Sequence, residues 1–256
     1  MARGRLASRI DWELPTRLLS ALVFLLAWQV AASLADSRLL PTVTAVLRAM
    51  VQQTVSGALP SNLAITLGRV AAAFTLSLLL GSALGIAMGR WRQLDLLLDN
   101  TVTILLNLPA LVVIVLLYVW FGLNEFAAIA AVALIKLPST VVTLREGARA
   151  LDPGLAEMAQ SFHMPRSRVL WHVILPQLTP YMFAAARTGL ALIWKIVLVV
   201  ELLGRSNGVG FQIEIYFQLF DVTLILAYTL AFILVVQAIE WTILQPLERW
   251  ATRWRR

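Results

Sequence analysis

Residues 63–89 contain a single charged side chain, Arg69, in a run of otherwise apolar, small or uncharged polar residues. About 18 or more predominantly apolar residues is the length a helix needs to cross a hydrocarbon core roughly 30 Å thick. The pattern recurs, giving six expected spans at about 18–35, 63–89, 101–121, 126–143, 178–203 and 222–244. A lipid-facing segment has to satisfy its own backbone hydrogen bonds, so each span is expected to be a helix. Composition agrees, since only 14% of residues are charged and 60% are hydrophobic, against about 25% charged in globular domains. The expected fold is therefore all-α and polytopic, with about six transmembrane helices. It forms one domain over 1–256: an N-terminal segment 1–17, a six-helix core 18–246 and a basic tail 247–256.

Several kinds of chemistry are excluded. The chain has no cysteine, which removes disulfides, thiolate metal sites and cysteine nucleophiles. His163 and His172 are the only histidines, and no H-E-x-x-H pattern or ligand cluster surrounds them, so no metal site is expected. The only lysines, Lys136 and Lys195, follow Ile135 and Trp194. No Gly-Lys-Ser/Thr phosphate loop exists, and ATP hydrolysis is not expected in this chain. The net charge of +7 is spread over short connections rather than one face, so no nucleic-acid partner is expected.

Charge placement instead reports orientation. Alternate connections carry Arg3, Arg5, Arg9, Arg17, Arg90, Arg92, Arg145, Arg149, Arg166, Arg168, Arg249, Arg253, Arg255 and Arg256, fourteen in all, against three (Arg38, Arg48, Arg205) on the other side. The positive-inside rule then places both termini in the cytoplasm. Small residues after the first apolar run, 31–37, resemble a signal-peptide cleavage site. The long basic leader and Trp28-Gln29 favour a retained first span instead.

Within the spans, Ala73, Ser77, Gly81, Gly85 and Gly89 recur every fourth residue. This spacing lines one helix face with small side chains and predicts a close helix–helix seam. Asn107 and Pro109 interrupt the third span and Pro138 the fourth, where kinks are expected. Arg69 and Glu240 lie toward span ends, a position that suits snorkelling to the interface. Lys136, Lys195 and Glu201 fall inside apolar runs. Intramembrane charges face a protein interior or a pathway. These three are candidate pathway residues, and a lysine pairing with Glu201 is the structural alternative.

The stretch EMAQSFHMPRSRVLWHVILP, 157–176, carries an acid, two arginines and both histidines. Asp152-Pro153 has the form of an N-cap followed by proline in the first turn. Leu155, Met158 and Phe162 then share one helical face, and Pro165 ends or bends the piece. Such an amphipathic elbow can lie on a lipid surface or dock into a groove on a soluble partner.

The same stretch resembles the EAA signature of importer-type ABC permeases: Glu-Ala-Ala, three residues, Gly, nine residues, Ile-x-Leu-Pro. Glu157 and Ala159 match, Met158 replaces the middle alanine, Val173 stands for isoleucine, and Leu175-Pro176 close the pattern. His163 occupies the glycine position, which affects the bend between the two helical pieces. The segments LLPTVTAVLRAM, SNLAITLGRVAAAF, YVWFGLNEFA, LDPGLAEMAQS and VVELLGRSNGVGF are similar to the nitrate, sulfonate, taurine and bicarbonate branch, over about 38–250. The resemblance implies a type I importer permease fold with 152–176 as a cytoplasmic coupling helix. Glu157, Met158, Ala159, Phe162, His163, Pro165, Leu175 and Pro176 would couple it to an ATPase. It also implies a second permease copy or close relative, two ATP-binding cassette subunits holding ATP and Mg, and a solute-binding protein in a bacterial inner membrane among lipids. A secondary transporter or channel working without an ATPase is the rival class.

Overall fold

A computed structural model of the protein describes residues 4–35, 37 and 39–246. The arginines at position 3, in the tail and at position 38 lie outside the described residues. The described elements are all helical: α1 (Gly4–Ala35), α2 (Val43–Val55), α3 (Ala58–Arg90), α4 (Arg92–Asn107), α5 (Ala110–Phe121) and α6 (Glu125–Arg149). They continue with α7 (Pro153–Ser161), α8 (Arg166–Val169), a π turn (Leu170–Ile174), α9 (Leu175–Gly204), α10 (Val209–Gln218), α11 (Val222–Ile239) and a second π turn (Glu240–Leu244). Four stretches are long and apolar enough to span a membrane: Ala58–Arg90, Glu125–Arg149, Arg166–Gly204 and Val222–Thr242. The apolar part of α1, Leu22–Ala35, is shorter.

The third expected span departs from a single rod. It is two helices, α4 and α5, bent by 101°. Pro109 offers no N–H and pushes the preceding residue out of helical geometry. Leu108 accordingly sits at φ −68°, ψ 129°. Pro138, by contrast, lies inside an uninterrupted α6, as membrane helices tolerate when neighbours re-satisfy the freed carbonyl. Pro176 does not separate the elbow from the fifth span either, because Arg166–Gly204 is one continuous helical stretch. The π turn lies just before the position where Pro176 leaves the His172 carbonyl without an i+4 donor.

The helices form two compact units. The first comprises residues up to Pro60 together with Gln212–Ala231. Here the Trp28 indole donates to the Pro41 carbonyl at 3.1 Å and the Thr44 N–H to Gln29 Oε1 at 3.3 Å, tying α1 to α2. α10 ends in a Schellman arrangement, with Asp221 N–H bonded to Tyr216 O and Phe220 N–H to Phe217 O. Phe220 takes the left-handed position at φ 54°.

The second unit comprises Ser61–Phe211 and Phe232–Arg256, and α6 is central to it. Ala73 and Ser77 are buried, and below them the glycines of the small-residue stripe face α6. A Cβ on Gly81 would lie 2.7 Å from Thr140 Cβ, on Gly85 2.5 Å from the Val141 carbonyl oxygen, and on Gly89 2.6 Å from Ala148 Cβ. These approaches are closer than any side chain permits, so the two backbones meet through glycine. α6 packs against α9 in a reciprocal way: Gly147 of α6 faces the Tyr181 ring, and Gly189 of α9 faces the Lys136 stem.

Candidate functional site

Three groups of functional side chains emerge. The first is the elbow between α6 and α9. Asp152 caps α7, its Oδ1 accepting from Gly154 N–H at 2.8 Å, with Pro153 in the first turn. Asp152 N–H in turn donates to Gln177 Oε1 at 2.9 Å, closing the start of the elbow onto the start of α9. At the far end of α7, Met164 N–H bonds to Ala159 O and His163 N–H to Gln160 O, both at 2.9 Å. These are the two bonds of a Schellman cap, whose C′ residue is normally glycine in the left-handed region. His163 takes that place at φ 51°. Histidine is among the non-glycine residues that enter this region more readily, so the bend survives the departure from glycine.

The side chains of the elbow divide by exposure. Leu155, Met158 and Phe162 are exposed, Phe162 at 76%, and Leu170 and Trp171 beyond the bend are exposed as well. Glu157, His163, Pro165 and Pro176 are also exposed, and Leu175 is half-buried. Ala159 is buried at 1%, which makes it part of the elbow's own packing rather than of a docking face. Next to this elbow, Arg145 and Arg149 at the end of α6 are bound by acids of α4. Arg149 Nη2 lies 2.5 Å from Asp95 Oδ2, and Arg145 bonds Asp99 and, at 3.3 Å, Asp95.

The second group is a buried charge network that the sequence did not disclose. Arg69 is 4% exposed and Glu201 is 0% exposed. Arg69 is therefore enclosed in protein, contrary to the interfacial, snorkelling position expected from its place near a span end. Its guanidinium donates to Glu201 Oε1 at 2.6 Å, to Glu125 Oε2 at 2.9 Å, to the Asn207 carbonyl at 2.8 Å and to Asn207 Oδ1. Glu201 Oε2 also accepts from Thr66 Oγ1 and Gly210 N–H, each at 2.9 Å. The connection after α9 is strapped to α3 by Gly208 N–H to Asn62 Oδ1 (2.8 Å) and Val209 N–H to Thr66 Oγ1 (2.9 Å). Gly208, at φ +105°, and Gly210 lie directly against the Glu201 side chain and leave no room for a Cβ. Arg205 closes the outer edge by donating to Glu125 Oε1 at 2.7 Å. One signal could have found this network. An isolated cation and an isolated acid in separate apolar runs, together with the closely spaced glycines of NGVG, predict mutual pairing and a tight backbone approach.

The third group is the lysines. With both Glu201 oxygens occupied, the expected pairing of a lysine with Glu201 does not form among the described residues. Lys136 is buried at 3% exposure in the α6–α9 seam and donates to Ser139 Oγ at 2.7 Å. Lys195 lies on the other, exposed side of α9 with Thr188, Leu192 and Val199. The structure does not bring the two lysines to one face. Among the described residues no three metal-ligating side chains cluster.

The comparisons with known proteins agree with this architecture. The chain is 31% identical to the aliphatic sulfonates transport permease protein SsuC of Escherichia coli (strain K12), covering 78% of this chain and 74% of that one. It is 30% identical to SsuC of Bacillus subtilis (strain 168), covering 93% and 87%. With the taurine transport system permease protein TauC of Escherichia coli (strain K12) it shares 28% identity over 75% and 70%. A crystal structure of an amino acid ABC transporter with histidines superposes with a TM-score of 0.59 at 21% identity, over 78% of this chain and 96% of that one; this likeness concerns the fold. The family described as binding-protein-dependent transport system inner membrane component matches residues 77–241. The chain belongs to that family, the multi-pass permeases of ABC importers, within its nitrate, sulfonate, taurine and bicarbonate branch.

Proposed function

We propose that this permease forms the translocation pathway of an ATP-driven importer for a small anionic solute. A solute-binding protein delivers the solute from outside the bacterial inner membrane, and two ATP-binding cassette subunits, holding ATP and Mg²⁺, work inside. A second copy of the chain or a close relative completes the pathway. ATP hydrolysis belongs to the cassette subunits. The arginine distribution, fourteen against three, supports cytoplasmic termini and an elbow on the ATPase side.

The observation that carries the reading is the elbow itself. It is a capped bend that leads into the long helical stretch ending in α9 and presents Leu155, Met158 and Phe162 outward. A force applied to it moves α9 as a lever, because the π turn and α9 form one helical stretch. Glu157, His163, Pro165, Leu175 and Pro176 shape that lever, and Lys136, Lys195 and Glu201 are the candidate pathway residues. ATP-driven closure shifts the permease between inward and outward openings only if the elbow's contacts differ between the two states.

The test is uptake into vesicles reconstituted with and without the cassette subunits. Uptake that requires ATP and those subunits, and that Phe162→Ala uncouples from hydrolysis, supports an importer. Uptake continuing without ATP assigns the chain to the secondary transporters or channels.

A further inference from the structure

Lys136 is a buried cation to which the described residues supply no acid. Among the described residues no Asp or Glu forms an ion pair with it, and its side-chain partner is one hydroxyl, Ser139 Oγ at 2.7 Å. Ser139 donates its own hydrogen to the Lys136 carbonyl at 2.9 Å, so its lone pairs are what face the ammonium. An ammonium carries three N–H donors, and two are left without an acceptor among the described residues. The site is also specifically accommodated. A Cβ at position 189 would lie 2.5 Å from Lys136 Cε, so glycine on α9 provides the notch through which the lysine stem runs. Glu201, the acid on the facing helix α9, is already occupied by Arg69, Thr66 and Gly210. Charged groups inside membrane helices persist where they meet a partner or a solute path, and an uncompensated buried charge is strongly destabilising.

We propose that the Lys136 ammonium, seated by Ser139 in the Gly189 notch, is a subsite for a small, singly charged oxyanion on its way through the permease. Two free N–H donors on a cation match oxygen acceptors through charge-assisted hydrogen bonds. A single buried positive charge balances a single negative one; a dianion would leave a net charge out of water. The subsite therefore takes nitrate, hydrogen carbonate or a sulfonate head group and discriminates against sulfate. This deepens the importer reading and rests on it for the claim that the anion is in transit.

The test uses the permease with its cassette subunits in nanodiscs, followed by thermal unfolding at fixed ionic strength with chloride as the balancing salt. Nitrate and methanesulfonate are expected to raise the Tm of the wild type and of Lys136→Arg, while sulfate does not. Lys136→Met should abolish the shift and Ser139→Ala should reduce it. In vesicles, Lys136→Met should raise the KM for the anionic solute at least tenfold while ATP turnover continues. An equal Tm shift in Lys136→Met, or sulfate acting as nitrate does, overturns the subsite. A lost Tm shift with an unchanged KM overturns its place in transport. Because the unfolding measurement needs no ATP, it reports on the subsite even if ATP-dependent uptake is absent from every variant, which would sink the importer reading instead. Should Lys136→Met fail to fold, Ser139→Ala, which keeps the cation and removes its seat, decides the matter in both assays.

Discussion

Arg69→Met removes the guanidinium while keeping much of the volume of its stem, and it leaves Glu201 buried with only Thr66 and Gly210 as donors. Removing one partner of a buried pair costs about 3–5 kcal/mol, because the remaining charge has neither water nor a counter-ion. At about 1.4 kcal/mol per factor of ten, the middle of that range is a nearly thousandfold loss in the folded-to-unfolded ratio. The contacts to half-exposed Glu125 add less, about 1 kcal/mol or below, since solvent screens them. Glu201→Leu alone leaves Arg69 buried but still bonded to Glu125 and Asn207, so its cost should be smaller. The double variant Arg69→Met/Glu201→Leu replaces the pair by apolar groups and should be no worse than Arg69→Met alone. The coupling between the two substitutions should then reach about 2–3 kcal/mol. Denaturant unfolding of the purified permease in detergent micelles measures all three variants against the wild type. Additive effects in the double variant, or a cost below about 1 kcal/mol for Arg69→Met, would refute the buried-pair argument.

Other substitutions test the remaining parts of the structure. His163→Gly relieves a left-handed residue and should stabilise the elbow by about 0.5–1 kcal/mol, read as a higher Tm with ATP-coupled uptake retained. Gly85→Ala forces a Cβ to within 2.5 Å of the Val141 carbonyl oxygen and should cost about 1–3 kcal/mol by overpacking. Gly68→Ala, with nothing within 4 Å, should be neutral or slightly stabilising in the same unfolding assay. Phe162→Ala removes the most exposed ring of the elbow. If the ring is buried on the cassette subunit it contributes about 1.5–3 kcal/mol, so pull-down affinity should fall by about tenfold to a hundredfold.

Run length and composition were enough to establish a helical membrane chain, because no other backbone arrangement survives in lipid. Local rules reached further into the elbow: Asp152 caps, Pro153 starts the helix, and the apolar triplet points outward, all within a few residues of one another. The four-residue spacing of the stripe revealed a face of small residues, but the partner helix came from packing, since complementarity to Thr140, Val141 and Ala148 leaves no trace in the stripe itself. The sharp angle between α4 and α5 shows the same division, because Pro109 announces a break without fixing its 101°. Arg69 and Glu201, more than a hundred residues apart, show the limit most clearly. Hydropathy scores each charge against water and lipid separately, whereas the real environment of the pair is the opposite charge together with Glu125, Thr66, the Gly210 amide and Asn207. That environment exists only once α3, α6 and α9 have come together, which is also why Lys136 emerges as the lysine enclosed in protein and Lys195 as the one left facing outward.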